Sequence, residues 1–222
     1  MTMQLRNKIL PITLAVVIFG GAGWYLYRDI KKLPENNIPQ ENSLQGNQNA
    51  TTTDDNPTIT ILPPNPAPSE LDRPLVFKNS NLSDAQKQTI EDKIKELIAD
   101  LRKNPGHYEA WLDLGLNRKD AGDYEGARDA WERAVLVDPS RSVAYGNLGV
   151  VYGFYLGNQP LAEKNFNEAI NIDPQFLYLY GQFSDFYKNI VKDIAKAKEV
   201  LRRAQDANPK DRAEIQKIID SF

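Results

Sequence analysis

Apolar residues recur at helical spacing along the second half of the chain, in segments separated by glycine and proline. Between Gly122 and Pro139, the sequence GDYEGARDAWERAVLVDP places Ala127, Trp131 and Ala134 four and three residues apart. Residues at this spacing share one face of a helix. Since glycine favours turns and proline cannot continue a helix, we predict one amphipathic helix between these two residues. Its buried face combines two small side chains with one large side chain.

The same pattern recurs with a nearly constant period. Prolines follow successive apolar helical stretches at Pro105, Pro139, Pro174 and Pro209, which are 34, 35 and 35 residues apart. A period of this length is the sequence signature of stacked supersecondary units. We predict three units of two helices each, over residues 106–139, 140–174 and 175–209.

Equivalent residues occupy equivalent places in the three units. The first helices carry Trp111, Leu114 and Gly115, then Tyr145, Leu148, Gly149 and Tyr152, then Tyr180, Phe183, Ser184 and Tyr187. The second helices carry Ala127, Trp131 and Ala134, then Ala162, Phe166 and Ala169, then Ala197, Leu201 and Ala204.

This arrangement resembles the tetratricopeptide repeat family, whose pattern is W-x2-L-G-x2-Y, then A-x3-F, then A and P. The segments WLDLG and DYEGARDAWERAVLVDP match it closely, and the resemblance covers about residues 106–209. Arg118 stands where an aromatic residue is usual, and Ser184 stands where Gly or Ala is usual. The resemblance implies an all-α fold, an α-solenoid of about three helix-turn-helix repeats.

Both ends of the repeat array have sequences that suit capping elements. Residues 83–105 begin with Ser83, a favoured capping residue, and read as a leading helix. Residues 210–222 read as a capping helix with apolar residues on one face and charged residues on the others. Terminal units of a solenoid need such a polar outer face. The repeat domain is therefore predicted to span residues 83–222.

The N-terminal region has a different composition. A short basic tail, residues 1–8, precedes an uncharged apolar run over residues 9–27. As a helix this run would be about 28 Å long, close to the hydrocarbon thickness of a bilayer. We predict an uncleaved transmembrane anchor, with the basic tail inside and the repeat domain extracytoplasmic. A cleaved signal peptide is the alternative, because Gly20–Gly23 supplies small residues at a possible cleavage site.

Residues 28–82 are rich in proline, asparagine and threonine and offer few apolar side chains to offset the entropy of ordering. We predict a disordered linker that holds the repeat domain away from the membrane. Within it, residues 58–62 (TITIL) alternate like a strand, and an unpaired extended segment is the simpler interpretation. Residues 74–79 (PLVFKN) are apolar enough to pack on the first helix.

Composition excludes several kinds of chemistry. The chain has no cysteine, so disulfides, thiolate metal sites and cysteine nucleophiles are ruled out. Its one histidine, His107, begins a helix and suits a structural role, and the carboxylates alternate with Lys and Arg as on a solvated surface. The net charge is −3 and no basic stripe appears, which argues against nucleic-acid binding. We expect no enzymatic activity, cofactor, metal or small-molecule substrate.

The resemblance implies a concave groove lined by the first helices of the repeats. Its expected lining falls on residues of each unit in turn: Leu112, Asp113, Leu116 and Lys119; Asn147, Val150 and Phe154; Tyr178, Gln182, Asp185 and Lys188. Some family members clamp an acidic peptide C-terminus with Lys, Asn and Arg. Here Leu112 and Leu116 take places where that clamp needs Lys and Asn, so we expect a mixed apolar and polar groove instead.

Three functions remain open at this point. The first is a membrane-tethered module that binds a partner peptide or protein in its groove and scaffolds an envelope or membrane assembly. The second is a self-assembling structural component of the cell envelope, in which solenoid ends stack between molecules. The third is an enzyme built on a helical scaffold, which would need two buried carboxylates facing one cavity.

Overall fold

The computed structural model describes residues 68–222, and regular secondary structure within this range is entirely helical. The all-α prediction is confirmed for these residues. Eight helices follow a short helical turn at Pro68–Leu71. They are α1 (Asp84–Lys103), α2 (Tyr108–Ala121), α3 (Tyr124–Val137), α4 (Ser142–Val150), α5 (Gln159–Ile172), α6 (Leu177–Phe186), α7 (Ile194–Ala207) and α8 (Arg212–Asp220).

The predicted tail, anchor and strand-like segment, residues 1–8, 9–27 and 58–62, lie outside the described residues, as does most of the linker. No helix between Pro68 and Phe222 combines the length and apolar composition needed to cross a bilayer.

Helices α2 to α7 form three antiparallel pairs that coincide with the predicted units. Each second helix begins with a side-chain cap, in which Asp123, Asn158 or Asp193 accepts a hydrogen bond from the backbone N–H three residues later. Such caps satisfy N–H groups that a helix leaves unpaired at its start. The turn between α2 and α3 contains Gly122 at φ 84°, a conformation that glycine adopts without strain.

The later pairs absorb one additional residue through a widened helical turn. The second helix begins 16 residues after the first in the first unit (108 to 124), and 17 residues after it in the others (142 to 159 and 177 to 194). In these two units the first helix ends in a π-helical turn, at Val151–Tyr155 and Tyr187–Val191. A π turn holds one residue more than an α turn, so the insertion leaves the stacking of the units unchanged.

Size complementarity joins the two helices of each unit. Ala127 and Ala134 are fully buried, and Trp131 is 1% exposed. The Trp131 indole N–H donates to the Leu112 carbonyl at 3.1 Å, over the position where Gly115 has no side chain. Phe166 occupies the same place over Gly149 in the second unit.

The third unit carries Ser184 where the others carry glycine. Leu201 stands there at the place of Trp131 and Phe166, so the facing side chain is smaller. The Ser184 hydroxyl is buried and donates to the Ala197 carbonyl at 3.1 Å. This departure from the repeat pattern is therefore accommodated by a matching reduction on the opposite helix.

Helices α1 and α8 cover the two ends of the array. At the start of α1, Ser83 and Gln86 form a capping box, in which each side chain accepts a hydrogen bond from the backbone N–H of the other residue. Leu101 of α1 is fully buried against the first unit. At the other end α8 buries Ile215 and Ile219 against α7, and its remaining faces are polar.

An extended segment precedes α1, and we call residues 70–79 the strap. Leu71, Arg73, Leu75, Phe77 and Asn79 are buried or half-buried, whereas the residues between them are exposed. This alternation is typical of an extended chain lying on a surface. The backbone N–H groups of Lys78 and Asn79 both donate to the Ala121 carbonyl, at 2.9 and 3.0 Å.

The strap differs from the expectation for this part of the chain. Sequence analysis placed residues 28–82 in a disordered linker, whereas residues 70–79 pack on the first unit. The apolar character of residues 74–79 did indicate such packing. The average composition of the linker did not reveal this packing, because the polar residues of the strap form ion pairs with residues far away in sequence.

Candidate protein-binding groove

The first helices of the three units lie side by side and form one surface. The Tyr108 hydroxyl of α2 accepts a hydrogen bond from the Ala144 N–H of α4 at 3.3 Å. Leu179 of α6 packs over Gly146 of α4, close enough that a Cβ atom there would lie 2.5 Å from its Cδ2. Residues on the same side of α2, α4 and α6 therefore form one continuous surface.

The predicted lining residues differ in how much of each side chain solvent reaches. Leu112 is only 7% exposed and belongs to the core, so its assignment to the groove is corrected to a packing role. Its backbone carbonyl accepts the hydrogen bond from the Trp131 indole N–H. The other residues remain partly or fully exposed: Asp113, Leu116, Lys119, Asn147, Val150, Phe154, Tyr178, Gln182, Asp185 and Lys188.

The apolar part of this surface is held from behind by aromatic packing. Phe154 is half-buried and meets the Phe186 ring edge-on, with ring centroids 6.2 Å apart. Phe186 itself is fully buried and also contacts Phe166. The ring of Phe154 is thus fixed in position while part of it stays accessible. Val150, one turn earlier on the same helix, and Leu116 of the neighbouring α2 extend the apolar area.

Amide groups and carboxylates interrupt the apolar area. The Gln182 side-chain amide donates to the Tyr178 hydroxyl at 2.9 Å, which orients both groups. Desolvation raises the pKa of the Asp113 carboxyl above its usual value. It also raises the pKa of Asp185, where Lys188 opposes the effect. Both acids ionise less readily than a carboxyl in water, because neighbouring protein displaces solvent around them.

The two lysines near the ends of the surface interact within this chain. The Lys119 amine lies 3.7 Å from the Asp120 carboxylate. The Lys188 amine stands over the Phe222 ring, 3.8 Å from its centroid. Both lysine side chains are thus oriented by residues of this chain.

His107 precedes α2 and contacts the end of α1. Its Nδ1 lies 2.5 Å from an Asp100 carboxylate oxygen, which links the end of α1 to the start of α2. Among residues 68–222, no group of three or more His, Cys, Asp or Glu side chains is arranged to hold a metal ion.

Sequence analysis missed a second contact surface, the one that receives the strap. The Arg118 guanidinium is buried, donates to Asp123 at 2.5 Å and donates to the Arg73 carbonyl of the strap at 3.0 Å. The signal for it was present, since Arg118 was recognised as a departure from the aromatic residue that the repeat pattern favours. Its partner could not be identified, because Arg73 lies 45 residues earlier in the chain.

These observations define the class of protein as an α-solenoid repeat protein. A family model of the tetratricopeptide repeat matches residues 142–176, which contain α4 and α5. The same residue pattern and helix pairing flank this match on both sides, so the finding supports a similarity to the tetratricopeptide repeat family. No curated protein matches the chain. Repeats of this family generally mediate protein–protein interactions and are typically non-enzymatic.

Proposed function

We propose that the protein is a membrane-tethered interaction module that binds a segment of a partner protein along α2, α4 and α6. The observation that carries the proposal is the surface of half-buried apolar and amide side chains on these adjacent helices, centred on Leu116, Val150 and Gln182. Binding there places the partner against rigid helices, and it scaffolds an assembly near the bilayer.

The chemistry of the surface favours an extended or helical segment with apolar side chains and at least one Lys or Arg. Apolar side chains would meet Leu116, Val150 and Phe154. Covering Asp185 with a neutral partner would remove its water without compensation, which is unfavourable for a carboxylate. A cationic side chain beside Asp185 would offset that loss and would align the partner in one register.

Tethering rests on the uncharged run at residues 9–27 and on its basic flanks. The run is long enough for a helix to cross a bilayer, and Trp24, Tyr25 and Tyr27 suit the membrane interface. Reporter fusions at both termini of the full chain would test the proposed topology. If a reporter that works only in the cytoplasm were active when fused to the C-terminus, this result would contradict an extracytoplasmic repeat domain.

Photo-crosslinking tests the binding surface directly. A photoreactive side chain at Asn147, in the centre of the surface, should capture a partner in the native membrane. Leu116→Glu should reduce that capture about tenfold, because it places a charge where apolar contact is expected. Leu136→Glu is the matched control, since Leu136 is 37% exposed and lies on α3, a second helix. Equal capture in the two folded variants would overturn the proposed surface.

A further inference from the structure

The strap lies between α1 and α3 and is held mainly by polar contacts. Arg133 of α3 forms a bidentate pair with Glu70, and its Nη2 lies 2.9 Å from Glu70 Oε1. Further along, Arg73 pairs with Asp129 at 2.7 Å and Lys78 with Glu125 at 3.0 Å. From Glu70 to Lys78, the strap therefore runs antiparallel to α3. On its other side, Asp72 pairs with Arg102 of α1.

Few apolar contacts accompany these pairs. Leu71 is 5% exposed, but Leu75 and Phe77 are only partly buried, and Val76 is 42% exposed. Within residues 70–79, only the N–H groups of Lys78 and Asn79 form backbone–backbone hydrogen bonds to the repeats, and both donate to the Ala121 carbonyl. Segments with little apolar burial and few backbone hydrogen bonds open at a smaller free energy than the core of a domain.

The surface beneath the strap is suited to exposure. Arg118 keeps its charge pair with Asp123 whether or not the strap is present, since both residues belong to the first unit. Removing the strap takes away one acceptor, the Arg73 carbonyl, which water can replace. The equivalent residues of the later units, Tyr152 and Tyr187, are aromatic. If the strap leaves, water reaches the charged Arg118 side chain, whereas exposure of an apolar side chain at the same position would be unfavourable.

We propose that the strap is a detachable element that leaves the surface between α1 and α3 as a unit while the three repeats stay folded. This proposal is independent of what binds along α2, α4 and α6.

Detachment changes where the preceding chain leaves the solenoid. With the strap docked, that chain leaves beside Arg102 and Arg133, near the C-terminal ends of α1 and α3. With the strap detached, it leaves at Ser83, at the N-terminal end of α1. The 20 residues of α1 separate the two points by about 30 Å. The docked and detached states therefore present different edges of the solenoid toward whatever holds the N-terminal region.

Thiol labelling of the full-length protein tests this proposal, because the chain has no native cysteine. Leu71→Cys reports exposure of the strap, and Leu101→Cys in the core of α1 reports unfolding of the repeats. Val76→Cys gives the rate for an accessible site. In native buffer, we expect Leu71→Cys to react about tenfold or more faster than Leu101→Cys, and more slowly than Val76→Cys.

A second pair of variants tests the ion pairs. Arg133→Gln removes the bidentate pair with Glu70 and should speed labelling at Leu71→Cys about fivefold. Arg141→Gln removes an exposed pair with Glu109 on α2 and should leave that rate unchanged. Neither variant should alter labelling at Leu101→Cys.

Hydrogen exchange in the unsubstituted protein shows whether the strap opens without the Leu71→Cys substitution, which could itself weaken docking of the strap. The amides of Lys78 and Asn79 should exchange about tenfold or more faster than the Ala134 amide in the core of α3. Equal slow labelling at Leu71→Cys and Leu101→Cys, with equal protection of these amides, would show that the strap opens only when the repeats unfold. Labelling at Leu71→Cys as fast as at Val76→Cys, with unprotected strap amides, would show that it is not docked. Either result overturns the proposal.

Discussion

Substitution of Gly115 by alanine tests how closely the helices of the first unit approach. A Cβ atom at residue 115 would lie 2.3 Å from Trp131 Nε1 and 2.6 Å from Cδ1 and Cε2 of the same ring. Trp131 is almost fully buried and cannot swing into solvent. Either the indole or the α2 backbone must therefore move by about 1 Å to restore ordinary van der Waals separation.

The free energy of unfolding should fall by about 1–3 kcal/mol. Overpacking in a well-filled core costs about 1–3 kcal/mol. Displacement of the indole also weakens its hydrogen bond to the Leu112 carbonyl, which contributes about 1 kcal/mol. The higher helix propensity of alanine opposes these losses by about 1 kcal/mol. For a domain of this size, the melting temperature should fall by roughly 3–10 °C.

A double-mutant cycle with Trp131→Leu identifies the clash as the cause, because the third unit pairs Leu201 with a residue that has a Cβ atom, Ser184. Unfolding by urea would be measured for Gly115→Ala, Trp131→Leu and the double variant. The smaller leucine side chain leaves room for the alanine methyl, so the double variant should be more stable than the sum of the single effects predicts. A coupling below about 0.5 kcal/mol is what independent sites show, and it would refute steric contact between residues 115 and 131.

Three further substitutions test charges and ionisation. Asp123→Ala leaves the Arg118 guanidinium without its carboxylate and removes the cap of α3. It should lower the free energy of unfolding in urea by about 3–5 kcal/mol, unless the strap opens and lets water reach Arg118. A loss below about 1 kcal/mol with the strap still docked would contradict the view that water is excluded from Arg118. Since the pKa of Asp185 is raised in the folded protein, native Asp185 holds its proton more firmly than the unfolded chain does, and its contribution to stability declines as pH rises above the ordinary carboxyl range. Asp185→Asn should therefore be as stable as the parent or more stable at pH 7. Any gain should disappear at about pH 3, where Asp185 is protonated in both the folded and the unfolded protein. Destabilisation at pH 7 would show that the carboxylate has a favourable partner. Burial raises the pKa of Tyr108 to about 12, so the unfolded chain loses this proton first, and stability should fall between about pH 10 and pH 12. Tyr108→Phe should flatten that decline in urea titrations, and an unchanged slope would assign it to other groups.

The repeat architecture could be predicted from sequence because each unit is a local pattern. The spacing of Ala127, Trp131 and Ala134 specifies one helix face, and the prolines specify where units end. Stacking then follows, since each unit can bury its apolar face only against its neighbours. The additional residue of the later units was also visible, but its absorption by π-helical turns was not, because several loop and helix geometries could accept one residue.

The lining of the groove was harder to predict than the fold. Leu112 and Leu116 lie one turn apart on the same face of α2, yet Leu112 is buried and Leu116 is half-buried. The assignment of Leu112 was wrong because burial also changes along a helix, according to which neighbouring side chains cover each turn. The sequence pattern of a single repeat does not contain that packing.

The first unit is adapted to the strap at several positions at once. All three second helices have Asp or Asn at the cap, but only Asp123 also pairs with a buried arginine. That pair needs space, and Gly126 provides it, because a Cβ atom there would lie 2.4 Å from Asp123 Oδ2 and 2.8 Å from Arg118 Cδ. The later units have Leu161 and Lys196 at this position and tyrosine in place of Arg118.

These adaptations lie away from the groove, and this separates the two surfaces physically. Arg118, Asp123 and Gly126 lie on the side of α1 and α3, where the strap runs, whereas Leu116, Asn147 and Gln182 belong to the surface that we propose binds a partner. We therefore expect a charge change beneath the strap to affect strap docking without altering a residue of the groove. Conversely, we expect substitutions in the groove to leave the strap docked, because the two surfaces share the core of the first unit but none of these side chains.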